Sequence, residues 1–203
     1  MRQRTLAFFT LAVTIVVIAA CGDNTDAPTS VSPTSVLPTS VLVEKTDIPG
    51  IVNFSRIESS TGFAGSPVGF GGATQRSAMS LLKDEGYATV INLRLVSERG
   101  ADVEGSRAAA EAAGLNYIHL PLNPQKLTPA VVDAFVAALG NGENRPVYVH
   151  CASATRVAAL WMIGRVQTDG WDIDAAEAEA RMIAAKPDSA VALATRYMTL
   201  HEE

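Results

Sequence analysis

Hydrophobic and polar positions divide the chain into three stretches. Leu6–Ala20 is an unbroken apolar run, residues 21–48 are polar and proline-rich, and from Pro49 onward short apolar strands alternate with helical patterns. In this last stretch Asn53–Glu58 (NFSRIE) alternates polar and apolar residues like a half-exposed strand. The glycine-rich Gly62–Gly72 (GFAGSPVGFGG) reads as a loop. Thr74 then caps a helix that carries Met79, Leu81 and Leu82 and stops at Gly86. Ala88–Leu93 is a buried strand, Arg94–Gly105 a polar loop, and an alanine-rich helix follows as far as Gly114. Asn116–Leu120 is another strand. Thr128-Pro129 sets a capping residue before proline at the first helical position, opening a helix to about Leu139. Pro146–His150 is a strand and Thr155 to about Val166 a helix, and two helices near 174–185 and 189–201 close the chain. Strands alternating with helices predict an α/β fold, a central and mostly parallel sheet of about four or five strands flanked by helices.

The first two stretches predict an address rather than a fold. Arg2 and Arg4 precede the apolar run, which at fifteen residues is shorter than the roughly 17–25 that span a bilayer and fits an export signal. Its end, Ile18-Ala19-Ala20-Cys21, resembles the bacterial lipobox, which implies acylation of Cys21 and removal of residues 1–20. Within residues 21–48 the tetrapeptide Pro-Thr-Ser-Val recurs at Pro28, Pro33 and Pro38. Proline at that density blocks helix and central strand and leaves an extended spacer. The expected product is exported and lipid-anchored to a bacterial membrane. Its tether, residues 21–48, carries an α/β domain, residues 49–203, facing the periplasm or the outer surface.

Composition narrows the function. The chain has 203 residues, 48% of them hydrophobic, enough for one α/β domain with a proper core. Sixteen basic residues against twenty-one acidic ones give a net charge of −5 with no basic stripe, which excludes nucleic-acid binding. No metal or cofactor motif stands out. There are two cysteines. If Cys21 carries lipid, Cys151 is a lone thiol in an exported protein, either a small buried hydrophobe or a reactive group.

Its setting favours reactivity. Residues 148–161 read YVHCASATRVAALW, so Cys151 sits where a strand ends and Arg156 where a helix begins. In parallel sheets ligands bind at the carboxyl ends of strands. Loop amides and a helix N-terminus aimed at one spot form an anion site, and the same field favours thiolate over thiol. Arg156 offers a planar fork for an oxyanion. Ala152, Ser153, Ala154 and Thr155 form the cradle, Ser153 and Thr155 adding hydroxyls. His150 is either a loop-orienting group or a satisfied core histidine.

HCASATR, with VINLR (Val90–Arg94) upstream, resembles the dual-specificity and tyrosine phosphatase superfamily. It is more closely similar to the bacterial phosphatase-like family named after beta-lactamase-hydrolase-like proteins. GGATQ (Gly71–Gln75), Ser97-Glu98, Ala112–Leu122, LTP (Leu127–Pro129) and VYVHC leading to RVAALW carry the same likeness in the same order. The resemblance implies that Cys151 attacks a phosphoryl group to form a thiophosphate while Arg156 binds the phosphoryl oxygens.

Four departures qualify this. Only four residues separate Cys151 from Arg156, where phosphatases of the superfamily have five; the shorter length is that of rhodanese-like sulfurtransferases and of the beta-lactamase-hydrolase-like family. The usual loop glycine is Ala154, costly by about 1 kcal/mol if the position needs positive φ. Val157 replaces a hydroxyl residue after the Arg. The loop expected to hold an aspartic general acid reads LPLNPQKL (Leu120–Leu127), with Asn123 and no carboxylate. Glu98, Asp102 and Glu104 are substitute candidates for the acid, or else members of a solvated loop, and Arg94 reads as an ion-pair partner. Three functions stand at this point: a Cys-dependent phosphatase-like hydrolase, a sulfurtransferase with a Cys151 persulfide, and a non-catalytic anion-binding module.

Overall fold

The computed structural model describes residues 43–65 and 67–201. The export signal, Cys21 and most of the expected tether lie outside the described residues. Among the described residues, no helix is long and apolar enough to cross a membrane.

Six strands form one sheet in the order β1-β2-β3-β6-β4-β5. They are β1 (Glu44–Lys45), β2 (Ser55–Ile57), β3 (Val68–Gly71), β4 (Thr89–Asn92), β5 (Asn116–His119) and β6 (Val147–His150). The last four run parallel, while β1 and β2 add antiparallel to one edge. The helices are α1 (Ala78–Asp84), α2 (Val103–Ala112), α3 (Pro129–Gly140), α4 (Thr155–Gln167), α5 (Ile173–Ile183) and α6 (Pro187–Leu200). Alternating side chains of the buried strands face opposite layers. Val147 and Val149 enter a core shared with α3 to α6, whereas Tyr148 joins a smaller one with α1 and α2. Covered on both faces, β6 is buried throughout. Helix α4 is buried from Arg156 to Arg165, as befits a helix packed on all sides.

Three local expectations are corrected. Val68–Gly71, inside the stretch read as a loop, is a fully buried strand beside β6. Its glycines belong there because a Cβ at Gly69 or Gly71 would run into the hydroxyls of Tyr87 and Tyr148. Thr74 does not cap α1, whose N-cap is Ser77; its hydroxyl instead contacts Tyr148 Oη at 2.7 Å. The folded domain also begins earlier than Pro49: β1 pairs with β2, and Val43 and Ile48 are buried.

Candidate active site

Strand β6 has parallel partners on both sides, β3 and β4, so its carboxyl end opens at the centre of the sheet. The four residues between its end at His150 and α4 are fixed by where their carbonyls go. Ala152 O accepts from Ala73 N (3.0 Å), Ser153 O from Ala185 N (3.2 Å) and Ala154 O from Ala158 N (2.9 Å). The amides of Ala152, Ser153 and Thr155 have no protein acceptor among the described residues, and Ser153 forms an isolated antiparallel bridge with Gly72. Backbone amides left without a protein acceptor are what an anion nest requires. The turn needs Ala154 in the left-handed region, at φ 58° and ψ 0°. Gly72 lets the chain after β3 approach, since a Cβ there would sit 2.8 Å from Val52 O and 3.1 Å from Ser153 Cα.

Cys151 lies at the base of this loop, 1% exposed, and its amide donates to Gly71 O at 3.1 Å. Arg156 occupies the first turn of α4 and is clamped by Glu98, Nη1 to Oε1 at 2.5 Å and Nη2 to Oε2 at 2.8 Å. Nη1 also donates to the carbonyls of Leu122 (3.1 Å) and Leu93 (3.3 Å). Nε of Arg156 has no protein partner among the described residues, so part of the guanidinium remains available to a ligand. Burial works against the charge of Arg156, but the bond to Glu98 and the nearby Cys151 sulfur outweigh it and raise its pKa.

Glu98 is not a member of a loosely solvated loop. Arg94 folds the loop back by donating to the carbonyls of Arg99 and Gly100 at 2.7 Å and to Glu98 at 3.3 Å. Leu95 N donates to Glu98 Oε1 at 2.8 Å. Burial alone would raise the Glu98 carboxyl, yet its bonds to Arg156, the Leu95 amide and Arg94 hold it down at about 2. A carboxylate in that state has no proton to give at neutral pH. Glu98 positions Arg156 instead.

The other acid candidates point elsewhere. Asp102 caps α2, accepting from Gly105 N at 3.2 Å, and pairs with Arg76 at 3.4 Å. Glu104 pairs with Arg107 at 3.7 Å. Asn123 accepts from Gln125 N at 2.9 Å in a local turn. His150 is buried against Tyr148, rings stacked at 5.8 Å, and neither ring nitrogen has a hydrogen-bond partner among the described residues. Burial pushes its pKa down to about 4, so it is neutral at physiological pH.

A cleft of about 710 Å³ opens beside the loop, lined by Ser153, Thr155, Arg156 and Glu98 and, from α6 and the turn before it, Lys186, Ser189 and Arg196. The sequence pointed to none of these last three. They are brought in by the packing of α6 on α4, which no local motif announces. Among the described residues no group of three or more His, Cys, Asp or Glu could hold a metal.

Residues 72–168 match the family described as beta-lactamase hydrolase-like protein, phosphatase-like domain. The matched segment includes the loop from Cys151 to Arg156. Proteins named beta-lactamase hydrolase-like protein are 39% identical over 85 residues in Xylella fastidiosa and 31% identical over 85 residues in Agrobacterium fabrum. These matches cover 40% and 41% of this chain, and the chain spans about a fifth of the length of these relatives. Among solved structures, P. aeruginosa TpbA aligns with a TM-score of 0.59 at 20% identity, covering 77% of this chain and 90% of that one. The core catalytic domain of the S. cerevisiae PP-IP phosphatase SIW14 aligns with a TM-score of 0.51 at 13% identity, covering 64% and 80%. At these identities the likenesses are ones of fold.

Proposed function

We propose that this phosphatase-like domain is a Cys-dependent hydrolase of phosphorylated molecules, with Cys151 as nucleophile and Arg156 as oxyanion ligand. The observation that carries this reading is the loop after Cys151, in which the carbonyls from Ala152 to Ala154 all accept backbone amides while the amides of Ala152, Ser153 and Thr155 have no protein acceptor among the described residues. TpbA has been solved in complex with pTyr, which accords with a phosphoryl ligand in this fold.

The Cys151 thiolate attacks phosphorus, forming a sulfur–phosphorus bond as the ester bond breaks. Loop amides and Arg156 take up the charge of the equatorial oxygens. Water then cleaves the thiophosphate, releasing phosphate and restoring the thiolate. Among the described residues no carboxylic acid stands ready to protonate the leaving group, a contribution usually of about 10²–10⁴-fold. Turnover therefore falls steeply as the leaving group becomes more basic, and aryl phosphates outrun alkyl ones.

A second reading rests on the four-residue loop, a small cradle suited to a single sulfur. Cys151 would take sulfur from thiosulfate, releasing sulfite, and pass it from the persulfide to an acceptor. The purified protein and its Cys151→Ser variant, given phenyl phosphate in one arm and thiosulfate plus cyanide in the other, separate these readings. Phosphate release lost in the variant supports the hydrolase, and thiocyanate lost in the variant supports the sulfurtransferase. If neither product depends on Cys151, both readings fail and a non-catalytic anion module remains. We propose in addition that Cys21 anchors the protein to a bacterial membrane outside the cytoplasm. Acylation that persists in Cys21→Ala would overturn that assignment.

A further inference from the structure

Most arginines of the domain spend their charge on carboxylates. Arg56, Arg76, Arg94, Arg107, Arg156, Arg165 and Arg181 all have an Asp or Glu within ion-pair distance. The cleft beside the cysteine loop breaks this habit. The Lys186 ammonium makes no hydrogen bond or ion pair among the described residues, and Arg196 donates from Nη2 to the carbonyl of Pro124 without meeting a carboxylate. Both line the same cavity as Ser153, Thr155 and Arg156, and its one carboxylate, Glu98, is already committed to Arg156. Two uncompensated cations thus face one cleft in a chain whose net charge is −5.

Their position also matters. Lys186 and Arg196 belong to the α6 region, outside the segment 72–168 that matches the phosphatase-like family, so this cationic wall is supplied by the part of the chain beyond it. Arg196 is braced by the loop of Leu120–Leu127, the wall of the cleft where a general acid is missing.

We infer that Lys186 and Arg196 form a subsite for a second phosphate on the substrate, so that the preferred substrate is a bisphosphorylated small molecule with one phosphoryl group over Cys151 and the other in the α6 cleft. This rests on the hydrolase reading above. Two cations match a phosphate dianion better than a carboxylate monoanion, and a guanidinium binds phosphate through paired donors.

The test compares phenyl phosphate, carboxyphenyl phosphate and hydroquinone bisphosphate, three aryl phosphates, with the wild-type protein and the Lys186→Ala/Arg196→Ala double variant. The wild type is expected to prefer the bisphosphate over phenyl phosphate in kcat/KM by on the order of tenfold, with carboxyphenyl phosphate in between, and the double variant to lose that preference. Arg181→Ala, which removes a charge already paired on α5, should keep it. A preference equal in wild type and double variant, or a carboxylate bound as well as the second phosphate, overturns the subsite. Phosphate release from all three compounds that persists in Cys151→Ser overturns the hydrolase reading instead. Calorimetric binding of hydroquinone bisphosphate against phenyl phosphate, in Cys151→Ser with and without the α6 substitutions, reads the subsite without turnover. A bisphosphate advantage that the α6 substitutions abolish supports it, and no advantage overturns it.

Discussion

Helix α4 carries a buried arginine near each end, and the two are treated in opposite ways. Arg165 is 0% exposed and all three of its guanidinium nitrogens donate: Nε to Glu179 (3.0 Å), Nη1 to Asp169 (2.9 Å) and Thr61 O (2.6 Å), and Nη2 to Ser60 Oγ (2.8 Å). Trp161 and Trp171 flank its guanidinium at 4.5 and 4.1 Å. Arg156 has one carboxylate, two carbonyls, an unused Nε and an open cleft in front of it. Around it, among the described residues, stand loop amides without a protein acceptor, a histidine ring without a hydrogen-bond partner and an alanine in the left-handed region. A buried ion pair alone does not mark a site. What marks one is polar capacity left unspent at the mouth of a cavity.

The difference predicts where substitution strikes. Arg165→Ala leaves Glu179 and Asp169 buried without their cation, a loss of about 3–5 kcal/mol in unfolding free energy. A urea titration checks this, and a loss below about 1 kcal/mol would mean that the network is not a staple. The folded fraction of this variant should retain its turnover per molecule.

At the other end, His150 gives an acid-sensitive signature. Its folded pKa is about 4 against an ordinary 6.5. Because the folded value is depressed, the neutral ring's contribution is complete above 6.5 and is lost as pH falls toward 4, at most about 3 kcal/mol in all. Glu98, held at about 2 against 4.5, acts in a lower window. Urea midpoints of the wild type should therefore drop between pH 6.5 and 4, and those of His150→Gln should stay flatter there. Equal slopes would show that the histidine is not buried neutral.

Arg156→Lys keeps the charge but loses the fork. The clamp on Glu98 cannot be reproduced by one ammonium, and kcat/KM is expected to fall about hundredfold with little change in unfolding free energy. The same split in Arg165→Lys would erase the distinction between the two ends.

What the sequence made legible was local. Cys151 and Arg156 could be placed because strand end, loop and helix start are consecutive, and an alternation of strands and helices was enough to predict the parallel centre of the sheet. Strand β3 was hidden by Gly69 and Gly71, whose requirement comes from tyrosines distant in sequence. Glu98 was visible as a charge, but its grip on an arginine 58 residues away was not. Lys186 and Arg196 gave no signal, since their place in the cleft depends on how α6 docks. Pairings across the fold are set by packing, and a periodicity argument does not reach them.

The smallest expected effect tests whether the loop stores strain. Ala154 at φ 58° carries a Cβ in a region that costs an L-residue about 1–2 kcal/mol, whereas Ala158, one turn into α4, is an ordinary buried helical alanine. Ala154→Gly removes that cost and gives back about 0.8 kcal/mol of buried methyl, so stability should change by less than about 1 kcal/mol. Ala158→Gly loses the methyl and about 1 kcal/mol of helix propensity with no compensation. The two variants, alike in chemistry, should differ by at least about 1.5 kcal/mol in urea unfolding, the loop variant being the more stable. If they fall together, Ala154 is relaxed in solution and the turn that aims the amides at Cys151 is not held in the left-handed form.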